Sequence, residues 1–364
     1  MTDTDRDKEY WSLLSSQSTT LRQLFDEPDE EHKWVVEGMI PERSLNLLSA
    51  APKVGKSTTS RVLACRVATG ATFLGRPCTP SPVVYVAFED RQCDVKEHFQ
   101  SLGATGDEAI HFVFPEPGKD IPSLVHALAK ELDSPLIIID TLQRYIDAQD
   151  LNNYAEVTRL MTPLLALSRH AAVLCVHHAN KGFQKGVNSV LGSQALAGSV
   201  AKTFYMYKHD RYRTFESDQR IGQRIDEFTV DYDPETGDVT AGPSKGTADI
   251  NAVADELVDA MESGTQYTKP ELLALVSTRR QTAISAVRTL VDSRRLRRAS
   301  GTGKRNDPFM YETLVSSSLV PFNVREPPYT HTPVNRNNVH YRKNGSSHVP
   351  VVPAIPGEST TPDD

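Results

Sequence analysis

A lysine and a serine at the mouth of a helix, and two carboxylates and a histidine at the ends of apolar runs, are the residues of this chain best placed to do chemistry. The run Ala50-Ala51-Pro52-Lys53-Val54-Gly55-Lys56-Ser57 follows an apolar stretch, Leu45-Asn46-Leu47-Leu48-Ser49, and opens a segment of helical spacing from Lys56 to Thr69. Strand, loop and helix in that order are what a phosphate-binding loop requires. Backbone N–H groups and a helix N-terminus cradle the phosphates, a lysine reaches the outer ones, and a hydroxyl binds Mg2+. Ala51, Pro52, Lys53, Val54, Gly55, Lys56, Ser57 and Thr58 are therefore the expected nucleotide contacts, with Ser57 as a metal ligand. Ala50 stands where such loops ordinarily carry their first glycine. A chance turn before a helix would not explain strand, loop and Gly-Lys-Ser in one register.

Three further apolar runs end in polar groups. Val83–Phe88 leads into Glu89-Asp90, and a carboxylate there can orient and deprotonate an attacking water. The alternative is an acidic strand end that caps the next helix. Leu136–Ile139 ends in Asp140, where a carboxylate beside the phosphate loop would hold Mg2+ through water. Val173–Val176 ends in His177-His178-Ala179-Asn180-Lys181. A lone histidine would read as structural; a pair followed by Asn and Lys reads as a polar sensor of the γ-phosphate, with His178 the candidate. No cysteine or histidine lies at the spacing of a zinc site, and Cys65, Cys78, Cys93 and Cys175 read as reduced cytosolic thiols.

These groups need a sheet to hold them. Strand candidates are Leu45–Ser49, Val83–Phe88, His111–Phe114, Leu136–Asp140, Val173–His177 and Thr203–Tyr207, separated by helix-length segments at Lys56–Thr69, Arg91–Leu102, Ile121–Leu132 and Tyr154–His170. Near-continuous apolar strands alternating with helices predict an α/β fold with a buried, mainly parallel sheet. Phe228–Tyr232, the turn Pro234–Asp238 and Val239 add an antiparallel hairpin at its edge. The division expected is an N-terminal arm at 1–33 with an amphipathic stretch from Tyr10 to Phe25, an ATPase domain at 34–243, a linker at 244–250, a second domain at 251–313 and a disordered, Pro/Ser/Asn/Thr-rich tail at 314–364.

Together these motifs resemble the RecA-like P-loop ATPases of the RepA and DnaB hexameric replicative helicase type, over roughly Trp34 to Pro243. The lead-in Trp34-Val35-Val36-Glu37-Gly38-Met39-Ile40-Pro41 shares the likeness. The resemblance implies ATP and Mg2+ as cofactors, Lys56 and Ser57 on them, Glu89 as the base, Asp140 as the second metal residue and His178 as the sensor. It further implies a homo-oligomeric ring, usually a hexamer, with ATP sites between subunits and single-stranded DNA in the pore. An arginine finger would come from Arg211 or Arg213, with Arg220 and Arg224 behind them; an exposed basic strand end is the equal alternative for each. The pore loop would be Gly182–Ser193, whose only cation besides the preceding Lys181 is Lys185, and which lacks an arginine before its Gly-Ser pair.

The second domain reads as a winged helix. Val253–Glu262 is its first helix, Thr268-Lys269-Pro270-Glu271 a capping box that opens the second, and Arg280–Ser293 the third. Leu296–Ser300, the turn Gly301-Thr302-Gly303 and Phe309–Tyr311 would form the wing. From Arg279 to Arg305 there are nine basic residues against Asp292 alone, in a chain of formal net charge -7. That local concentration suits duplex DNA, with Arg280, Gln281, Arg288, Arg295, Arg297, Arg298, Lys304 and Arg305 as contacts and Thr282 and Ser285 also facing bases. A protein-binding winged helix with a solvated basic face is the alternative. The sequence has no apolar run near the ~20 residues of a membrane span and no secretory N-terminus, so a cytoplasmic protein is expected. Three functions follow: a helicase or translocase ATPase acting in replication of a plasmid, phage or mobile element, an ATP-switched DNA-binding regulator, and an ATP-binding adaptor with poor hydrolysis, which Glu89 disfavours.

Overall fold

The computed structural model describes residues 18–27, 33–180, 185–190, 194–209, 211–218 and 222–314. The chain forms two units, Met1–Lys33 and Trp34–Asp364. In the first, helix α1 (Leu21–Asp26) starts at a complete capping box, in which Thr20 and Gln23 satisfy each other's backbone N–H groups. Leu21, Leu24 and Phe25 are exposed. The rest of the expected amphipathic stretch, Tyr10 to Gln17, lies outside the described residues.

The second unit is built on a nine-stranded sheet. A short ribbon, β1 (Trp34–Val36) with β2 (Ile40–Pro41), precedes β3 (Leu45–Ala50). Then come α2 (Lys56–Thr69), β4 (Val83–Ala87), α3 (Gln92–Ser101), β5 (Ile110–Val113), α4 (Ile121–Glu131) and β6 (Leu136–Asp140). A short helix, a longer one and a strand follow: α5 (Leu142–Ile146), α6 (Tyr154–Leu167) and β7 (Ala172–His178). Helix α7 (Gln194–Ser199) leads to β8 (Lys202–Lys208), β9 (Arg213–Ser217), β10 (Ile225–Tyr232) and β11 (Val239–Ser244). The spatial order is β11-β10-β9-β8-β3-β7-β6-β4-β5. From β8 to β5 all neighbours are parallel; β8 to β11 are antiparallel.

The parallel half is buried on both faces, which is why its strands read as unbroken apolar runs. Alternate residues feed two cores. Tyr85, Ala87, Ile138, Leu174 and Val176 face α2 and α3, with Leu63, Val67 and Phe99. Val84, Val86, Ile137, Ile139, Val173 and Cys175 face α4 and α6, with Val125, Met161 and Leu164. Cys65, Cys78 and Cys175 are buried and Cys93 is exposed, all four free. No helix among the described residues is long and apolar enough to cross a membrane.

The antiparallel edge is one strand richer than the expected hairpin. Strand β9 pairs with both β8 and β10. Its buried residues include the polar Thr214, Glu216 and Ser217, so its composition lacks the apolar alternation that marks a strand. The expected linker at 244–250 is a helix. Ser244 ends β11 and its side chain accepts from the Thr247 N–H, capping α8 (Lys245–Ala260), so sheet and helix join without a gap.

Helix α8 packs against α10 (Arg280–Asp292), preceded by β12 (Tyr267–Thr268) and α9 (Lys269–Ala274). The capping box at Thr268 and Glu271 is complete. β13 (Leu296–Ser300) and β14 (Met310–Thr313) close a three-stranded antiparallel sheet ordered β12-β14-β13. Their core is Ala254, Leu257, Leu272, Ala286, Leu290 and neighbours.

A buried lysine ties the lead-in ribbon to the sheet. Lys202 Nζ donates to Gly38 O at 2.9 Å and Gln223 O at 3.1 Å, and stands 6.0 Å from the Trp34 ring centroid. Burial pushes its ammonium down to about 8.

Candidate active site at the carboxyl edge of the sheet

Parallel strands all end at one edge, so the polar residues that close them meet there. The register makes this concrete: Ala50 lies opposite His178, Asp140 opposite Val176, and Ala87 opposite Asp140. Residues separate in sequence thereby come to surround the loop after β3.

Ala51, Pro52 and Lys53 are exposed, Val54 and Lys56 are buried, and Gly55, Ser57 and Thr58 lie between. Gly55 is the N-cap of α2 with φ 110°, a left-handed conformation that glycine adopts without strain, and it offers no side-chain cap. The first N–H groups of α2 are thus left for an anion. Lys56 Nζ donates to Ala50 O at 3.0 Å and Ala51 O at 3.1 Å, and lies 3.5 Å from His178 Nδ1. Burial lowers the Lys56 ammonium, against the opposing pull of Asp140 and Glu89.

Asp140 is 2 % exposed. Burial raises its carboxyl above the ordinary range, while bonds from Ser57 and Tyr85 work the other way. Ser57 and Asp140 supply hard oxygen donors, and the described residues contain no cluster of three or more His, Cys, Asp or Glu that could hold a metal. That donor set fits Mg2+, which is ordinarily held by one or two protein oxygens together with phosphates and water.

Glu89 accepts from Thr141 Oγ1 at 3.0 Å, and its Oε1 is 3.9 Å from His178 Nε2. Its side chain is 45 % exposed, so a water can reach it. Burial and the neighbouring Lys56 lower the His178 imidazole, opposed by Glu89 and Asp140, which favours the neutral ring. His177 is fully buried, so of the pair only His178 faces the loop. The structure therefore brings Lys56, Ser57, Glu89, Asp140 and His178 together. It adds three residues that the sequence reading passed over: Thr141 on Glu89, Tyr85 on Asp140, and Arg61, paired with Asp90. Their signal was weak, being hydroxyls and a charge within runs that read as core or helix.

Residues 13–184 match the family model of the AAA domain. That stretch is a nucleotide-binding ATPase domain, and its P-loop core is RecA-like α/β. Comparison with curated proteins gives no significant match.

Other expected site residues are arranged differently. Arg211 and Arg213 lie two strands from the P-loop, at the same edge, since β8 runs parallel to β3 and β9 returns from its end. Arg211 donates to Ala252 O of α8 at 3.2 Å; Arg213 stands 5.8 Å from the Tyr232 ring centroid. Arg220 and Lys181 lie outside the described residues. Lys185, expected in a pore loop, instead donates to Glu227 Oε2 at 2.7 Å and lies over the Tyr207 ring, because the chain after it turns back to pair Val190 with Ala179.

In the C-terminal domain, Arg280, Gln281, Arg288, Arg297, Arg298, Lys304 and Arg305 are exposed. Arg295 is not. Its guanidinium donates to Asp255 Oδ1 at 2.7 Å, and its side chain is 19 % exposed. Arg297 pairs with Glu312, Arg288 lies 3.7 Å from Asp292, and Arg298 stacks 4.6 Å from the Phe309 ring centroid. The free positive charge is smaller than the residue count implied, because Asp255 and Glu312 lie outside the basic segment.

Proposed function

We propose that this ATPase acts on DNA as a ring-forming helicase or translocase of the RepA type, in replication of a plasmid, phage or other mobile element. Glu89 serves as general base for the attacking water, Lys56 and His178 contact the γ-phosphate, and Ser57 with Asp140 hold Mg2+. Arg211 or Arg213 reaches the site of a neighbouring subunit in a hexamer. The C-terminal domain is a winged helix that binds duplex DNA through α10 and the β13–β14 turn, and the protein works in the cytoplasm.

The observation that carries this reading is the joining of the two halves. The turn between β8 and β9, at the edge that holds the phosphate loop, bonds to α8 through Arg211 with Ala252 and Tyr212 with Asp249. Helix α8 is also the main support of α10. A basic surface is thus mounted on the edge where hydrolysis takes place.

One observation favours a second reading, an ATP-switched DNA-binding regulator without unwinding. Lys185 is held by Glu227, which leaves it poorly placed to grip a strand. The two readings separate in one measurement: steady-state ATP hydrolysis with and without single-stranded DNA, with Lys56→Ala as control. Strong stimulation that the control abolishes supports the motor. Turnover indifferent to single strands, with duplex binding that depends on nucleotide, sinks it in favour of the switch.

A further inference from the structure

Tyr85 is a phenol in a strand otherwise made of Val83, Val84, Val86 and Ala87, and it is fully buried. A buried hydroxyl needs partners, and this one has two. It donates to Asp140 Oδ2 at 2.9 Å and meets Ser60 Oγ at 2.9 Å. A phenol carries one proton. With that proton on the carboxylate, the phenol oxygen is left to accept from Ser60. Ser60, fully buried, also donates to the Ser57 carbonyl oxygen at 3.0 Å, so its single proton is shared between that carbonyl and the phenol.

The placement follows from the fold. Tyr85 lies opposite Ile138, two residues before Asp140 on the adjoining strand, so phenol and carboxylate project to the same face of the sheet. Helix α2 covers that face and brings Ser60. Three elements, β4, β6 and α2, each contribute one group to a chain that begins at the P-loop helix and ends on Asp140.

We infer that Tyr85, backed by Ser60, is a positioning residue for the metal-binding carboxylate: it fixes the direction in which Asp140 faces Ser57. This rests on the reading of Ser57 and Asp140 as the Mg2+ pair. Groups of this kind, one step behind a metal ligand, change metal affinity by roughly tenfold or more when removed.

The test is binding of a fluorescent ATP analogue to the full chain, titrated with MgCl2, for wild type, Tyr85→Phe, Ser60→Ala and the double variant. Tyr85→Phe keeps the ring and its packing. It is expected to raise the Mg2+ midpoint about tenfold and to leave affinity for the metal-free nucleotide unchanged. The double variant is expected to be no worse than Tyr85→Phe, since Ser60 acts through the phenol. An unchanged midpoint in folded Tyr85→Phe, or an equal loss without metal, overturns the inference. If Tyr85→Phe does not fold, Ser60→Ala decides: a raised midpoint supports the inference and an unmoved one defeats it. Wild-type binding that ignores Mg2+ would overturn the Mg2+ reading itself and the inference with it. A wild type that responds to Mg2+ beside a folded Tyr85→Phe with the same midpoint overturns the inference alone.

Discussion

The basic residues of the C-terminal domain divide by partner, and the division predicts which of them answer to salt. Arg295 is bonded to Asp255 at 2.7 Å and Arg297 is paired with Glu312. Their charges are already compensated, so neither releases counterions when a phosphate arrives. Lys304 and Arg305, in the β13–β14 turn, are exposed and pair with no described carboxylate. Each free cation that neutralises a phosphate adds about 0.9 to the slope of log affinity against log salt. The double variant Lys304→Ala/Arg305→Ala is therefore expected to flatten that slope by roughly 1.8 and to weaken binding across all sequences alike. Arg295→Ala is expected to leave the slope alone and to lower stability instead. Its bond is charge-assisted and half-buried, while Asp255 is 41 % exposed, so the loss is about 1 kcal/mol. Fluorescence anisotropy of a labelled duplex over a range of KCl gives the slopes, and urea unfolding gives the stability. Equal slopes for wild type and the Lys304/Arg305 variant would refute the duplex surface. A flattened slope in Arg295→Ala would refute the division by partner.

Two further outcomes are expected. Glu89→Gln keeps an oxygen for Thr141 to donate to but cannot take a proton; turnover should fall by about 10²- to 10⁴-fold with nucleotide affinity retained, and unchanged turnover removes Glu89 from the base role. Burial lowers the His98 imidazole below its ordinary 6.5, so the folded state binds fewer protons there than the unfolded chain, and stability is lost as pH falls below 6.5. The stability advantage of wild type over His98→Gln should thus shrink between pH 7 and pH 5; a constant difference would mean that His98 titrates alike in both states.

Much of the site was legible because its chemistry sits at strand ends. A buried parallel strand writes itself as an apolar run, and the residue that breaks the run marks the sheet edge. Asp140 and His178 were found that way, and the structure places Asp140 beside Val176 and His178 beside Ala50. The capping box at Thr268 was legible for a similar reason: both of its bonds are local, three residues apart. Strand β9 was hidden because its buried polar residues are satisfied by neighbours the sequence does not bring near. Ser217 Oγ accepts from the Ile225 N–H at 3.1 Å, and Thr214 Oγ1 donates to Glu227 at 2.8 Å. The start of α8 was hidden because Pro-Ser-Lys-Gly-Thr has loop composition, while Ser244 is a helix cap.

Charge is the property that local counting reads worst. Whether an arginine is free depends on carboxylates that the fold delivers from elsewhere. Asp255 reaches Arg295 across 40 residues, and Glu312 reaches Arg297 across 15. The same limit applies at the sheet edge, where Lys185 reads as a loop cation and is held by Glu227, 42 residues away. Strand ends, by contrast, are fixed by register, which depends on every residue of the run and so survives the loss of any one contact. In this chain, register alone fixes what stands at the ends of the parallel strands, whereas the sum of surface charges is set by partners that only the fold supplies.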